Sequence, residues 1–331
     1  METLIKKIDK ESLSLADKLI SAGELVAFPT ETVYGLGALA FDDEAIKKVY
    51  EVKGRPSDNP LIVHVHKDYD VSSLVEYSGG YAEKLRNAFL PGPLTIVYKS
   101  KGKVSPLVSC GLNTVAIRVP QSQAAQEFLR YVNKPIAAPS ANISKHVSPV
   151  TAMHVYNDFN GKIPLILDGG RSVGGIESTV LDATGEVPVI LRKGLVTAEM
   201  VAKVCGECLY ADENTVGKTK SPGMKYRHYC PSCETALFER TEVDKALNFY
   251  DEQAKSGKKT VFLVDGGMIG KIGDRNSLLL GHTAEEMAAN LYEMLREGEK
   301  YDLIIGFKLD IANELMMSVN NRYSKAFYKE K

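Results

Sequence analysis

Apolar residues recur along the chain with two different spacings, and each spacing predicts a different element. Short apolar runs closed by glycine or proline are typical of buried strands, whereas apolar residues three to four positions apart are typical of amphipathic helices. The predicted strands of the first part of the chain cover 25–28, 61–65, 94–98, 115–119, 136–138, 165–167, 179–181 and 189–191. The predicted helices there cover 13–22, 43–52, 122–131 and 197–204.

The periodicity disappears between residues 212 and 233 and then returns. Residues 216–233 contain only basic charged residues, which indicates a linker. The later predicted elements are strands at 235–238, 260–264, 278–280 and 303–305, helices at 242–255 and 284–297, and a C-terminal helix. Strands separated by helical patterns favour βαβ units. We therefore predict an α/β domain over 1–211, a linker over 212–233 and a smaller α/β domain over 234–331.

Composition and charge exclude several classes of protein. Of the 331 residues, 44% are hydrophobic and 25% are charged, which excludes collagen-like and wholly disordered chains. The 41 basic residues nearly balance the 42 acidic residues, so bulk coating of nucleic acid or of a membrane is not expected. The chain shows no signal-peptide pattern and no apolar run of the length that a membrane helix needs. With five cysteines, an odd number, we expect a cytoplasmic protein with no membrane partner.

Two C-x-x-C pairs leave the question of zinc open. Cys205 and Cys208 are separated by 21 residues from Cys230 and Cys233, close to the spacing of a zinc ribbon. However, the first pair closes a predicted helix and the second ends the linker, so the hairpin knuckles of a ribbon are not predicted. Structural zinc, a redox pair and unpaired thiols all remain open from the sequence.

Polar clusters follow several predicted strands or helices, where α/β folds place ligand sites. Residues 29–37 combine three hydroxyl side chains with Gly35 and Gly37, which we interpret as a flexible loop suited to a zwitterionic or phosphorylated ligand. Lys53 and Arg55 flank a glycine on a loop stiffened by two prolines, which is typical of a phosphate clamp. Each cluster alone also fits an ordinary solvated loop.

A third, discontinuous cluster contains an arginine inside an apolar strand. Arg118 lies between Ile117 and Val119, so it either points outward or is paired. No nucleophilic arrangement is evident, because Ser140 lacks a G-x-S-x-G elbow. His64 and His66 alternate on one predicted strand and are typical of structural histidines. Asp265 opens a glycine-containing segment without the G-x-G-x-x-G order, which predicts a turn.

Taken together, these clusters resemble the YrdC/Sua-type family of threonylcarbamoyl-AMP synthases in its long, two-domain form. The segments that carry the resemblance are Phe28–Gly37, Lys53–Pro56, Asn59–Leu61, Pro91–Thr95, Val115–Pro120, Ala138–Asn142, Glu177–Thr179 and Leu191–Arg192. The resemblance covers about residues 5 to 210. The linker at 221–229 is also similar, whereas 234–331 matches mainly in length and pattern. Cys230 departs from the alanine usual in the family, which needs no zinc there.

The resemblance implies a fold and a reaction. The expected fold is a twisted mixed sheet with helices, followed by a Rossmann-like three-layer α/β domain. The implied enzyme is a nucleotidyltransferase that joins L-threonine, bicarbonate or CO2, and ATP into threonylcarbamoyl-AMP and pyrophosphate. The product would pass to the tRNA threonylcarbamoyl transferase machinery, with contact to tRNA as a further expectation. Mg²⁺ would accompany ATP, because magnesium is usually held partly by substrate oxygens.

The resemblance also implies roles for individual residues. Tyr34 and His64 would line the reacting centre. The residues expected to bind L-threonine are Thr30, Arg118, Ala138 and Ser178. The residues expected to bind ATP are Lys53, Arg55, Asn59, Thr114, Ser140, Ser148, Arg192 and, from the linker, His228.

Two other functions remain alternatives from the sequence. A nucleic-acid-binding module would hold RNA phosphates in a cationic site and would show strong salt dependence without ATP turnover. Carbamoyl-adenylate chemistry of the kind used in hydrogenase maturation would need acylphosphatase and zinc-finger modules, which the sequence does not show.

Overall fold

The computed structural model describes residues 2–77, 80–211 and 229–327. The chain divides into two compact units, which we describe separately. The first unit contains Met1–Ser144, Pro149–Val173 and Glu177–Tyr226. The second unit contains Lys145–Ser148, Gly174–Ile176 and Arg227–Lys331. Two short segments from the N-terminal part of the sequence therefore belong to the second unit.

The first unit is built on a mixed sheet with helices. Its strands are β1 (Leu4–Lys7), β2 (Val26–Phe28), β3 (Gly35–Leu39), β4 (Ile62–His64), β5 (Val75–Glu76), β6 (Leu94–Ser100), β7 (Thr114–Arg118), β8 (Ile136–Ala138), β9 (Leu165–Asp168), β10 (Thr179–Asp182), β11 (Val189–Arg192) and β12 (Leu209–Tyr210). Its helices are α1 (Lys10–Ser21), α2 (Asp43–Lys53), α3 (Gly80–Phe89), α4 (Pro106–Ser109), α5 (Gln123–Val132), α6 (Ala152–Phe159) and α7 (Ala198–Cys205).

The strand order places β4, β7, β6 and β10 side by side. Across the sheet the order is β1-β9-β2-β3-β8-β4-β7-β6-β10-β11-β12, with β5 paired to β6. Strand β7 runs parallel to β4 and antiparallel to β6. Strand β6 runs parallel to β10. The ends of these strands therefore bring together residues that are distant in the sequence.

Local sequence signals explain where the site-bearing helix α2 begins and ends. The Asp42 side chain accepts hydrogen bonds from the backbone N–H groups of Glu44 and Ala45, which caps the first turn. The helix ends at Gly54, whose φ of 59° is left-handed and favours glycine. Because the helix stops there, Lys53 lies on its last turn and Arg55 starts the following loop.

Two apolar clusters hold the sheet to its helices. The larger one includes Leu36, Ile46, Val63 and Ile117, all nearly inaccessible to solvent. The smaller one contains Phe28 and residues of α1, α5, β8 and β9. Burial of this kind contributes about 25 cal/mol per Å² of apolar surface removed from water. Strands β2, β8 and β9 contribute residues to both clusters, so they are packed on both faces.

The second unit contains a parallel four-stranded sheet. Its strands are β13 (Glu234–Phe238), β14 (Thr260–Val264), β15 (Ser277–Leu279) and β16 (Leu303–Phe307), in the order β13-β16-β14-β15. Its helices are α8 (Val243–Lys255), α9 (Ala284–Gly298) and α10 (Glu314–Phe327). All three strand pairs are parallel.

The two short segments of the second unit pack on its own elements. The Cys230 N–H donates to the Lys145 carbonyl at 2.9 Å. Nη2 of the buried Arg296, on α9, donates to the Val147 carbonyl at 2.5 Å. Gly175 has a φ of 68°, and a Cβ there would lie 2.2 Å from the carbonyl oxygen of Ala288. Only glycine therefore fits at this point against α9.

The mixed α/β architecture predicted from the sequence is confirmed, and the predicted strands and helices agree closely with the observed ones. The Rossmann-like character of the second unit stays a prediction. One prediction was wrong: Gly35 and Gly37 do not form a flexible loop but lie in β3. A Cβ on Gly37 would meet Ile136 at 2.8 Å, so these glycines serve close packing. Among the described residues, no helix is long and apolar enough to span a membrane.

Candidate active site

Arg118, the last residue of β7, lies at the centre of the candidate site. In the sheet it is opposite His64 of β4 and Thr95 of β6. Its side chain is only 4% exposed, so it does not point outward into solvent. A guanidinium in this position must be paired, because an isolated buried charge is very costly.

The partner of Arg118 is Glu31, on the turn between β2 and β3. Arg118 Nη2 donates to Glu31 Oε1 at 2.8 Å. Glu31 Oε2 accepts from the backbone N–H groups of Gln121 and Ser122, at 3.0 and 3.4 Å. The guanidinium still has unused capacity, because its buried Nε has no hydrogen-bond partner in the part of the chain that the structure describes.

Ser178 lies in a second polar group next to Arg118, linked by Thr95. The hydroxyls of Thr95 and Ser178 are 2.8 Å apart, and Thr95 is fully buried. Arg192, at the end of β11, donates through Nε and Nη2 to the Ser178 carbonyl. Its Nη2 also lies 3.1 Å from the Ser178 hydroxyl. Arg192 therefore orients Ser178 in this structure.

Lys53 holds the loop that follows β8. Its amino group donates to the carbonyls of Ser140 and Asn142, at 2.6 and 2.5 Å. The side chain is buried, and this burial together with nearby Arg55 lowers the pKa of Lys53 well below its ordinary value. Ser140 also bridges to Gly35 of β3. Lys53 and Ser140 are distant in sequence but are joined directly by the hydrogen bond from the lysine to the Ser140 carbonyl.

Arg55 folds back on its own loop. Its Nη2 donates to the Asn59 carbonyl at 2.6 Å, and its guanidinium lies over the Tyr50 ring at 5.9 Å. Asn59 is almost completely buried. The 53–60 loop is therefore held in shape by Arg55, one of the two cations that the sequence predicted as a phosphate clamp.

Thr30 and Tyr34 shape the turn that carries Glu31. The Thr30 hydroxyl donates to the Val33 carbonyl at 2.6 Å and accepts from the Thr32 and Val33 N–H groups. The Tyr34 hydroxyl donates to the Gly170 carbonyl at 2.6 Å, and burial raises the pKa of Tyr34. The hydroxyl protons of both residues are thus used within the protein.

His64 is a neutral, oriented imidazole. Its Nδ1 lies 3.1 Å from the Ile62 carbonyl, which can only accept, so Nδ1 carries the proton and Nε2 is an acceptor. Burial, with a smaller effect of Arg118, lowers the pKa of His64 to about 3. The ring packs edge-on against Phe28 at 5.7 Å. His66 lies beyond the strand, and its Nε2 is 2.9 Å from Asn133 Oδ1.

The remaining predicted residues differ in position. Ala138, at the end of β8, is buried opposite Ile62. Thr114 begins β7 and so lies at the opposite end of that strand from Arg118, about 13 Å away at ~3.3 Å per residue. Ser148 is buried and belongs to the second unit. His228 lies outside the described residues.

Comparison with known proteins identifies the family. A Sua5/YciO/YrdC family model, described as telomere recombination, matches residues 18–194. A second model, described as the threonylcarbamoyl-AMP synthase C-terminal domain, matches residues 196–327. The chain belongs to the Sua5/YrdC family of threonylcarbamoyl-AMP synthases.

Relatives of the Sua5/YrdC family match nearly the whole chain. The threonylcarbamoyl-AMP synthase of Pyrococcus abyssi is 41% identical, over 97% of this chain and 95% of its own. That of Bacillus subtilis is 40% identical, over 94% and 93%. The crystal structure of P. abyssi Sua5 complexed with L-threonine matches with a TM-score of 0.86 and 39% identity, over 98% and 97%. The chain is therefore a nucleotidyl-transferring enzyme that forms threonylcarbamoyl-AMP.

The C-x-x-C cysteines of this Sua5/YrdC protein do not form disulfides in the described structure. Within residues 2–77, 80–211 and 229–327, no group of three or more His, Cys, Asp or Glu could hold a metal ion. Cys205 and Cys208 belong to the first unit, and Cys230 and Cys233 to the second. Burial raises the pKa of Cys205, and it raises that of Cys233 to about 11, which disfavours the thiolates that metal binding needs.

Sequence reasoning about this Sua5/YrdC chain missed two residues that organise the site. Glu31 was noticed only as part of the 29–37 motif, and Thr95 only as part of 91–95. Neither has a local pattern that reveals its partner, since Glu31 and Arg118 are 87 residues apart and Thr95 and Ser178 are 83 apart. The one available signal was the position of Arg118 between Ile117 and Val119, because an arginine buried in such a strand requires an anionic partner.

Proposed function

We propose that this enzyme binds L-threonine through Arg118 and joins it to bicarbonate or CO2 and to ATP, releasing pyrophosphate. The observation that carries the proposal is the guanidinium of Arg118, nine-tenths buried and paired on one side with Glu31. Its Nε has no partner among the described residues. A carboxylate is the ligand that fits such a donor, because charge-assisted pairing to guanidinium is directional and strong.

The surroundings of Arg118 suit the rest of the amino acid. The neutral His64 offers an acceptor at Nε2, and Ser178 offers a hydroxyl held by Arg192 and Thr95. Ala138 is small and buried on the neighbouring β8. Thr30 contributes the shape of its turn, because its hydroxyl proton is already donated to Val33. We assign L-threonine to these residues.

We assign ATP to the residues of the first unit that the sequence predicted for it, Lys53, Arg55, Asn59, Thr114, Ser140 and Arg192. Lys53 supports this proposal most directly: an ammonium has three donors, and two are used by the Ser140 and Asn142 carbonyls. The third can reach a phosphate. Because the amino group and the loop around Ser140 hold each other, the phosphate site is formed before ATP binds.

The chemistry needs positioning rather than a nucleophilic side chain. The neutral amine of threonine adds to CO2 and loses a proton, giving a carbamate. A carbamate oxygen then attacks the α-phosphorus of ATP in line, and the bond to the β-phosphate oxygen breaks to release pyrophosphate. Tyr34 and His64 line the reacting centre in this proposal, with His64 neutral and able to accept a hydrogen bond at Nε2.

Mg²⁺ would enter this reaction with the nucleotide. Among the described residues, no cluster of three or more metal-ligating side chains forms a metal cage. Triphosphate oxygens are suitable ligands for this ion. We therefore derive no step from a protein-bound metal.

The product is a mixed carbamoyl-phosphate anhydride, an activated acyl donor that needs an acceptor nucleophile. We propose that it passes to the tRNA threonylcarbamoyl transferase machinery in the cytoplasm. Near-neutral net charge argues against strong nonspecific tRNA binding, so any contact with tRNA would be local.

Release of pyrophosphate from ATP tests the reaction. We expect release to require both L-threonine and bicarbonate, and we expect it to be insensitive to added RNA. Release with threonine alone, in carbon-dioxide-depleted buffer, would contradict carbamate formation. Salt-dependent RNA binding without pyrophosphate release would favour the nucleic-acid-binding alternative.

Arg118→Ala tests the carboxylate anchor. We expect the KM for threonine to rise about a hundred-fold, because a buried charge-assisted pair is lost, and the KM for ATP to change much less. Arg118→Lys keeps the charge but not the planar fork, and should be intermediate. Equal increases in both KM values would contradict the assignment.

A further inference from the structure

Glu31 makes hydrogen bonds to two different parts of the chain through its two carboxylate oxygens. Its side chain is 10% exposed, and each carboxylate oxygen has a different kind of partner. Oε1 accepts from Arg118 Nη2 at the end of β7. Oε2 accepts from the Gln121 and Ser122 N–H groups, which lead into α5. One carboxylate therefore joins the turn after β2, the end of β7 and the start of a ten-residue helix.

This arrangement fixes the direction of a side chain that is otherwise flexible. Arginine has four rotatable bonds, and holding it in one rotamer has an entropic cost. A nearly buried ion pair to a carboxylate that is itself fixed by two backbone donors selects one orientation of the guanidinium. In that orientation Nη2 is used and Nε is left without a partner within the described residues.

We propose that Glu31 is a positioning residue for threonine binding, which holds Arg118 so that its remaining donors face the substrate carboxylate. The inference rests on the proposed role of Arg118. Glu31 does not itself touch threonine. It also lowers the net charge of the site, so that one guanidinium does not act as an uncompensated buried cation when the site is empty.

The opposite role makes a different prediction. If Glu31 competed with the substrate for Arg118, its removal would free the guanidinium and lower the KM for threonine. If Glu31 only stabilised the fold, its removal would lower stability without a selective effect on either substrate. A positioning role alone predicts weaker threonine binding with ATP binding nearly unchanged.

Glu31→Gln is the main test. The amide keeps the size of the side chain but has one acceptor oxygen, so it cannot accept from both Arg118 and the start of α5. We expect the KM for threonine to rise roughly ten- to hundred-fold and the KM for ATP to change by less than about three-fold. Glu44→Gln, which removes an exposed ion pair with Lys47 on α2, is the matched control and should change neither.

Glu31→Asp keeps the charge on a shorter side chain and should give a smaller rise in the threonine KM. It also serves if Glu31→Gln fails to fold, which thermal unfolding would reveal. An unchanged or lowered threonine KM in a folded variant would overturn the positioning role, as would equal rises for both substrates.

A double-mutant cycle separates this inference from the function on which it rests. If Glu31 acts through Arg118, Glu31→Gln should add little to the threonine KM in an Arg118→Ala background. Full additivity would overturn the inference. If Arg118→Ala leaves the threonine KM unchanged, the proposed carboxylate anchor fails instead. If Arg118→Ala raises it and Glu31→Gln does not, only the role of Glu31 fails.

Discussion

Three basic side chains of the site, Lys53, Arg55 and Arg192, donate hydrogen bonds to nearby backbone carbonyls. Lys53 donates to Ser140 and Asn142, and Arg55 donates to Asn59. Arg192 donates to the Ser178 carbonyl in the same way. Long basic side chains in water sample many rotamers, whereas these three are fixed before substrate arrives. If these side chains bind the nucleotide as proposed, their hydrogen-bond donors are already positioned before the phosphates arrive, and such preorganisation stabilises charge in a transition state.

The neutral state of His64 predicts a pH dependence of stability. The folded pKa of about 3 lies below the ordinary value of 6.5, so between these values the unfolded chain binds one more proton. The contribution of the neutral His64 to the free energy of unfolding is therefore fully present above pH 6.5 and is lost as the pH falls toward 3. We expect a loss of up to about 1.4 kcal/mol per pH unit in this range.

Urea unfolding of the wild type and of His64→Gln at several pH values measures this effect. As the pH falls from 7 to 5, the free energy of unfolding of the wild type should decrease more than that of the variant. His282→Gln, at an exposed position of the second unit, is the control. Parallel pH curves for the wild type and His64→Gln would refute a neutral buried imidazole.

At the scale of elements, β3 depends on two glycines, Gly35 and Gly37, which have no side chain to clash with neighbouring residues. Gly35 and Gly37 pair with Phe28 and Val26 of β2, and both positions lie against the Phe28 ring. Glycine normally weakens a strand, but here it allows an aromatic ring to pack directly on the backbone. Strand β3 then bridges through Gly35 to Ser140, so this packing also affects the proposed phosphate loop.

Gly37→Ala tests the close packing of β3. The new Cβ would lie 2.8 Å from Ile136 and 3.1 Å from the Val26 carbonyl, so neighbours must move. We expect a loss of about 1–3 kcal/mol of stability, the usual result of overpacking, seen as a lower Tm. Gly80→Ala, where a Cβ meets nothing within 4 Å, is the control. An equal Tm for both variants would contradict the packing role of Gly37.

The sequence predicted those elements whose signals are local. Strands such as β7 were predicted because apolar runs are typical of buried strands. Helix α2 was predicted because acidic residues lie in its first turn and Lys53 and Gly54 lie at its end. Strand β3 was missed because its glycines are identical in appearance to those of a loop, and their meaning depends on Phe28. The Glu31–Arg118 pair was missed because it forms only when the sheet assembles.

At the scale of the molecule, the second unit is assembled from three stretches of sequence. Residues 145–148 and 174–176 group with residues 227–331 rather than with their neighbours in sequence. The pattern of apolar residues along the chain divides it into continuous domains. It cannot show that a short segment belongs to a different unit from its neighbours in sequence. The boundary predicted at the linker therefore did not anticipate these segments.

Arg296→Met tests how firmly the 145–148 segment is held. Arg296 donates to the Val147 carbonyl and pairs with Glu299, and it is nearly buried. Removing one partner of a buried pair leaves the other unsatisfied, so we expect a loss of about 2–5 kcal/mol and faster hydrogen exchange at 145–148. Lys300→Met removes an exposed pair with Glu297 and should cost less than about 1 kcal/mol. Unchanged hydrogen exchange at 145–148 in Arg296→Met would contradict this role, because it would show that other contacts hold the segment.

Because the second unit is built from separate stretches of sequence, it limits how parts of such proteins can be exchanged. A chimera that takes residues 229–331 from a relative would place foreign side chains against a glycine at 175 and a loop at 145–148 that it did not evolve with. A functional exchange should require both short segments to be transplanted together with the C-terminal part. Among natural relatives, substitutions in these segments should covary with substitutions in α9, even though more than a hundred residues separate them in the gene.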